Sequence, residues 1–126
     1  MAGIRVICPF ISDIYDVADM LLSQEDVLLI EKKDYIEKPK DNGYRSLHLI
    51  VEIPIFPSKG KENMRVEIQI RTVAMDFWAS LEHQIRYKKG LEEEQKISEG
   101  LKECADTIAR TDLRMQELRE MIKNSV

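Results

Sequence analysis

Two segments that alternate apolar and polar residues with a period of two constrain this chain more than any other feature. In SLHLIVEIPI (46–55), Leu47, Leu49, Val51 and Ile53 fall on one side, and Ser46, His48 and Glu52 on the other. MRVEIQIRT (64–72) repeats the pattern, with Val66, Ile68 and Ile70 set against Glu67, Gln69 and Arg71. Successive side chains of a strand point to opposite faces. The intervening FPSKGKEN (56–63) is dense in turn formers. Pairing as an antiparallel hairpin buries both aliphatic faces in one core. It also brings His48 onto the sheet face that carries Glu67, Gln69 and Arg71. A polar row of this kind fits a solvated sheet face, and it fits a binding site laid on a sheet equally well.

The remaining elements follow from period and punctuation. IRVICPF (4–10) reads as a strand ended by Pro9. Ser12 offers an N-cap for a helix over 13–23, in which Ile14, Val17, Ala18, Leu21 and Leu22 recur at helical spacing. VLLIEKKDYI (27–36) reads as a strand and EKPKDNG (37–43) as a loop. Residues 72–89 form a helix with Val73, Phe77, Leu81 and Ile85 along one side and Trp78 beside it. From Glu92 onward, Ile97, Leu101, Cys104, Ile108, Thr111, Met115, Leu118 and Ile122 recur at alternating spacings of 4 and 3, a heptad seam in which Gly100 is the weak point. The order strand–helix–strand–strand–strand–helix–helix predicts an α/β (α+β) domain, a mixed sheet flanked by helices with a C-terminal helical extension.

Charge marks the boundary of that extension. Residues 1–90 carry 13 basic and 14 acidic side chains, whereas 91–126 carry 6 and 9. With 126 residues the chain suits one compact domain. A formal net charge of −4 does not suit a protein that blankets nucleic acid or an anionic membrane, so neither partner is expected. No apolar run approaches the roughly 18–20 residues that span a bilayer, and no signal peptide is recognisable. Cys8 and Cys104 lie far apart without metal-site spacing and read as two buried thiols of a cytoplasmic protein.

The segment KKDYIEKPKDNGYRSLH (32–48) mixes Lys32, Lys33, Lys38, Lys40 and Arg45 with Tyr35, Tyr44 and a glycine. Lysines beside such a loop suit phosphates and a tyrosine suits a base, although a solvated lysine-rich loop has the same composition. Neither a P-loop nor a dinucleotide-binding glycine pattern is present. Glu67, a carboxylate in mid-strand, suits Mg²⁺ coordination or proton abstraction from a hydroxyl. His48 and His83 are the two histidines, and each alone is better explained by a structural or surface role.

Taken together, AGIRVICPF (2–10), KDYIEKPKDNGYRSLHLIV (33–51) and VEIQIRTVAMDFWASLEHQIRYK (66–88) resemble the synthetase domain of the RelA/SpoT alarmone family, and within it the small single-domain synthetases. The resemblance implies a nucleotidyltransferase-like fold and a GTP diphosphokinase of the stringent response. Such an enzyme transfers pyrophosphate from ATP to the 3′-hydroxyl of GTP or GDP to make (p)ppGpp, leaving AMP. Carried onto this sequence, Tyr44 stacks on the guanine, and Lys33, Lys40, Asn42 and His48 contact the acceptor nucleotide. Gln69 and Arg71 occupy further acceptor-side positions, and Arg5 an ATP-side position. Glu67 helps to hold Mg²⁺ and orients or deprotonates the 3′-hydroxyl.

The family also places an aspartate, its other magnesium ligand, two residues before AG as D-x-A-G, a position this sequence does not contain. Residues 1–89 are therefore expected to be the C-terminal portion of a synthetase domain, weak or inactive alone. The competing expectation is a catalytically silent guanine-nucleotide-binding or assembly fragment. Residues 90–126 are expected to serve oligomerisation, because a helix over 92–123 would run roughly 48 Å, past the edge of a globule about 30 Å across. A homo-oligomer, dimer or tetramer, is expected, and the main rival is a helix that folds back on its own domain.

Overall fold

The computed structural model describes residues 2–58, 60–86 and 93–125. Its elements are β1 (Ala2–Cys8), α1 (Ile11–Leu22), β2 (Leu28–Asp34), β3 (Leu47–Ile55), β4 (Glu62–Thr72), α2 (Val73–Arg86) and α3 (Glu94–Asn124). The strands form one mixed sheet in the order β1-β4-β3-β2. β1 runs parallel to β4, while the β2–β3 and β3–β4 pairs are antiparallel. The α/β class and the hairpin of 46–55 with 64–72 are thus as expected. The step in charge at Gly90 lies outside the described residues.

Leu47, Leu49 and Val51 of β3 and Val66, Ile68 and Ile70 of β4 are buried against Ile14 and Ala18 of α1, with Cys8 and Met75 completing the core. Slippage of one residue would turn this whole set to solvent, which is why the register is well specified. The start of α1 differs from expectation. Its N-cap is Phe10, whose amide donates to Asp13 Oδ2 at 3.2 Å, while Ser12 lies inside the helix and donates its amide to Gln116 Oε1 of α3 at 2.9 Å.

The helix α2 also departs from its apolar pattern. Val73 and Phe77 are 61% and 57% exposed, and Leu81 and Ile85 lie outward with them. Met75 and Trp78 are the side chains buried instead. The rotation has a physical reason: it lets the Trp78 indole N–H donate to the Leu101 carbonyl at 2.8 Å while its rings pack on Leu101 and Ala105 of α3.

α3 is one continuous helix through Gly100. It folds back on its own domain. Its inward face is Leu101, Ala105 and Asp112, all buried, followed by Arg119, which pairs with Asp13 at 2.7 Å and lies over the Phe10 ring. The heptad seam divides. Ile97, Leu101 and Ile108 pack towards Trp78, whereas Cys104, Thr111, Met115, Leu118 and Ile122 are exposed. A strict seven-residue repeat drifts by about 20° per heptad on a straight helix, so such a helix laid on a globule cannot bury all of it. Cys8 is buried and Cys104 exposed, both as free thiols, which corrects the expectation of two buried ones.

Candidate active site

The register lines up one polar row across all four strands: Arg5 beside Gln69, Gln69 beside His48, His48 beside Lys33. On β4 the flanking positions of the same face are Glu67, opposite Gly3, and Arg71, opposite Ile7. Parity alone therefore assembles Arg5, Lys33, His48, Glu67, Gln69 and Arg71 on the face away from the core.

Five side chains close into a ring. Gln69 Nε2 donates to Glu67 Oε1 at 3.0 Å, and Gln69 Oε1 accepts from Arg71 Nη2. Arg71 Nη2 also donates to the Tyr44 hydroxyl at 2.9 Å, and that hydroxyl meets His48 Nε2 at 2.9 Å. His48 Nδ1 then faces Glu67 Oε1 at 3.8 Å. Because Arg71 has only donors, the Tyr44 hydroxyl accepts from it, and giving its own proton to His48 Nε2 assigns the imidazole proton to Nδ1, towards Glu67. Burial lowers the His48 pKa from 6.5, and Lys40, Arg71 and Lys33 push the same way against the opposing pull of Glu67. His48 is neutral at pH 7.

A depressed histidine pKa contributes stability that is present above the unfolded value and lost as pH falls through the folded one. Wild-type protein is therefore expected to lose stability relative to His48→Gln as pH drops below 6.5, read by urea denaturation across that range. Parallel pH profiles would remove His48 from the network.

Asp76 is not foreseen from the sequence, and Tyr35, noted there beside Tyr44, joins the site without having been assigned a role. Asp76, in the first turn of α2, reaches Arg71 Nη1 at 3.4 Å and Arg5 Nη1 at 3.6 Å, tying the β1 and β4 cations to one carboxylate. Tyr35 stands edge-on to Tyr44 and His48, with ring centroids 6.1 and 5.2 Å away. Lys40 Nζ lies 4.8 Å from the Tyr35 ring centroid and 5.2 Å from that of Tyr44. The structure places two expected residues less centrally. Asn42 caps its own turn, its Oδ1 accepting the Tyr44 amide at 3.0 Å, and it lines a hollow towards α3. Lys33 sits on the sheet edge, 3.4 Å from Glu31.

Arg5, Tyr44, Gln69 and Arg71 floor a cleft of about 500 Å³ whose wall is α2, including His83. That volume suits a small-molecule ligand of nucleotide size. Gly3, Arg5 and Glu67 border an adjoining hollow of about 270 Å³. A Cβ at Gly3 would meet nothing within 4 Å, so the space beside Glu67 is open. Glu67 Oε2 has no hydrogen-bond or ion-pair partner among the described residues. One free carboxylate oxygen beside a cleft fits Mg²⁺, which is usually held by one or two carboxylates together with substrate phosphates.

A region found in RelA / SpoT proteins matches residues 1–92. The chain belongs to the RelA/SpoT family. Among its RelA/SpoT relatives, GTP pyrophosphokinase YwaC of Bacillus subtilis is 48% identical over 97% of this chain and 58% of its own length. GTP pyrophosphokinase YjbM of the same organism is 38% identical over 99% of this chain and 59% of its own. The chain thus spans a little over half of either relative. The crystal structure of small alarmone synthetase 2 from Bacillus subtilis superposes with a TM-score of 0.88 at 47% identity, covering 94% of this chain and 65% of that one. Small alarmone synthetase 1, bound to its product pppGpp, superposes at 0.86 and 38% identity, covering 94% and 60%.

Proposed function

We propose that this chain carries the acceptor-nucleotide side of a (p)ppGpp synthetase, which transfers pyrophosphate from ATP to the 3′-hydroxyl of GTP or GDP. The observation that carries the reading is the ring of Tyr44, His48, Glu67, Gln69 and Arg71 on the floor of the cleft. It sets an aromatic face, a buried guanidinium and a carboxylate side by side, the groups needed for a base, its phosphates and a hydroxyl.

Tyr44 stacks on the guanine. Lys40, exposed and resting over the Tyr44 ring, swings aside onto the phosphates as the base enters. Lys33 and Arg71 supply further positive charge, Gln69 and His48 orient the ribose, and Asn42 holds the turn that presents Tyr44. Glu67 accepts the 3′-hydroxyl proton as that oxygen attacks the β-phosphorus of ATP. The bond between the α- and β-phosphates breaks and AMP leaves. Arg5, held by Asp76, lies on the ATP side. Mg²⁺, held by Glu67, would neutralise charge on the phosphates when bound.

Titration of the chain with GDP is expected to show saturable binding. Tyr44→Ala should weaken it at least several-fold, since a base–aromatic stack is worth about 1–3 kcal/mol. Equal binding of ADP and GDP, unaffected by Tyr44→Ala, would contradict the reading. With nucleotides as substrates, the reading carries a cytoplasmic location. Among the described residues, no helix is long and apolar enough to cross a membrane.

The same reading includes a homo-oligomer built on residues 90–126 as the helical extension to a synthetase domain over 1–89. The outward face of α3 supports it: Met115, Leu118, Met121 and Ile122 are exposed together, the last at 68%. Leu118→Asp is the informative substitution, because Leu101 and Ile108 pack inside the domain. Sedimentation should show the wild type as a dimer or larger and Leu118→Asp shifted to monomer, since a carboxylate in an apolar interface is costly to desolvate. A monomeric wild type would remove the oligomer.

A further inference from the structure

The site has a back as well as a front. Tyr44 and Arg71 meet on the cleft side, and the next residue of each segment turns inward. There Arg45 and Thr72 converge on one carboxylate of α3: Arg45 Nη1 lies 3.4 Å from Asp112 Oδ2, and the Thr72 hydroxyl donates to the same oxygen at 2.7 Å. Arg45 and Asp112 side chains are only 8% and 7% exposed. The Thr72 hydroxyl, its proton given to Asp112, accepts the Met75 amide at 3.1 Å and so caps the start of α2, one residue before Asp76. Asp112 therefore backs three groups of the cleft: Tyr44 through Arg45, Arg71 through Thr72, and Asp76 through the cap on α2.

We infer that Asp112 is a positioning residue for the acceptor-nucleotide site, with α3 serving as the brace that holds the Tyr44 loop and the end of β4 in register. The inference rests on the reading of that face as the acceptor site. Asp112 itself lies outside residues 1–92, where the family region matches. A buried charge pair is weak evidence of net stabilisation, and apolar replacement of both members is commonly tolerated. What such replacement cannot reproduce is the directional hold on Arg45 and Thr72, and there stability and positioning part company.

The test uses the full chain and its Arg45→Met/Asp112→Leu double variant, which leaves no unpaired buried charge. Both are labelled with 3-fluorotyrosine, and the Tyr44 fluorine resonance is identified by its loss in Tyr44→Phe. The double variant is expected to melt close to wild type, yet to shift or broaden the Tyr44 resonance without any nucleotide present. Its affinity for GDP should fall severalfold, because Tyr44 is no longer held in place before the base arrives. A folded double variant with an unchanged Tyr44 resonance and unchanged GDP affinity would overturn the inference. If the wild type itself does not bind GDP, the acceptor reading fails, and the Tyr44 resonance still decides the positioning. Should the double variant not fold, Thr72→Val is read by the same two signals, and wild-type values there overturn the inference as well.

Discussion

Glu67→Gln is expected to abolish the weak Mg²⁺-dependent AMP release that this chain gives from ATP and GTP, a fall of about 10²-fold or more, within the range typical of a lost general base. The substitution keeps the shape of the side chain, and its amide oxygen can still accept the 3.0 Å hydrogen bond from Gln69. The ring that binds the acceptor therefore survives, and GDP affinity should stay near wild type. What is lost is the negative charge beside the open space at Gly3, and with it both the proton acceptor and the metal ligand. Separation of the nucleotides by anion exchange reads the rate. An unchanged rate would remove Glu67 from the reaction, and a parallel loss of GDP affinity would recast it as a binding residue.

Gly43→Ala is expected to be the most damaging small substitution in the fold. Gly43 has a φ of +99°, which side chains with a Cβ rarely adopt, and an added Cβ would lie 2.5 Å from the Ala105 Cβ on α3. Backbone strain of about 1–3 kcal/mol and overpacking of about 1–3 kcal/mol act together there. Gly60, at a φ of +121° with nothing within 4 Å, carries only the first cost. Urea denaturation should show Gly43→Ala clearly less stable than Gly60→Ala, and GDP binding should fall in Gly43→Ala alone. Equal losses would mean that α3 does not press on the Tyr44 loop.

Much of this site was legible because a strand has a period of two. Once 46–55 and 64–72 pair, His48, Glu67, Gln69 and Arg71 share a face by parity alone, and the structure brings them there. Asp76 and Tyr35 were not legible in this way. Their roles come from contacts between separate elements, which leave no periodic mark. The helices show the same limit. In α1, Ile14 and Ala18 are buried as the apolar spacing implies. In α3 the inward face turns polar after Ile108, with Asp112, Gln116 and Arg119 meeting Thr72, Ser12 and Asp13. A search for apolar recurrence follows Met115, Leu118 and Ile122 instead and picks the outward side. In α2 the burial of Met75 and Trp78, together with the indole hydrogen bond to Leu101, takes the place of the four-residue apolar stripe. Asn42 stands in a turn and holds its backbone, a use of asparagine as common as ligand contact.

The proposed place of the guanine acceptor is the polar face of the sheet. The most direct measurement is a titration of isotope-labelled chain with GDP, followed by NMR chemical shifts of backbone and side chains. Saturable shifts are expected at Lys40, Tyr44, His48, Gln69 and Arg71, with ADP far weaker. Absence of saturable GDP binding, or shifts gathered on the outward face of α3 with the sheet face silent, would contradict that placement.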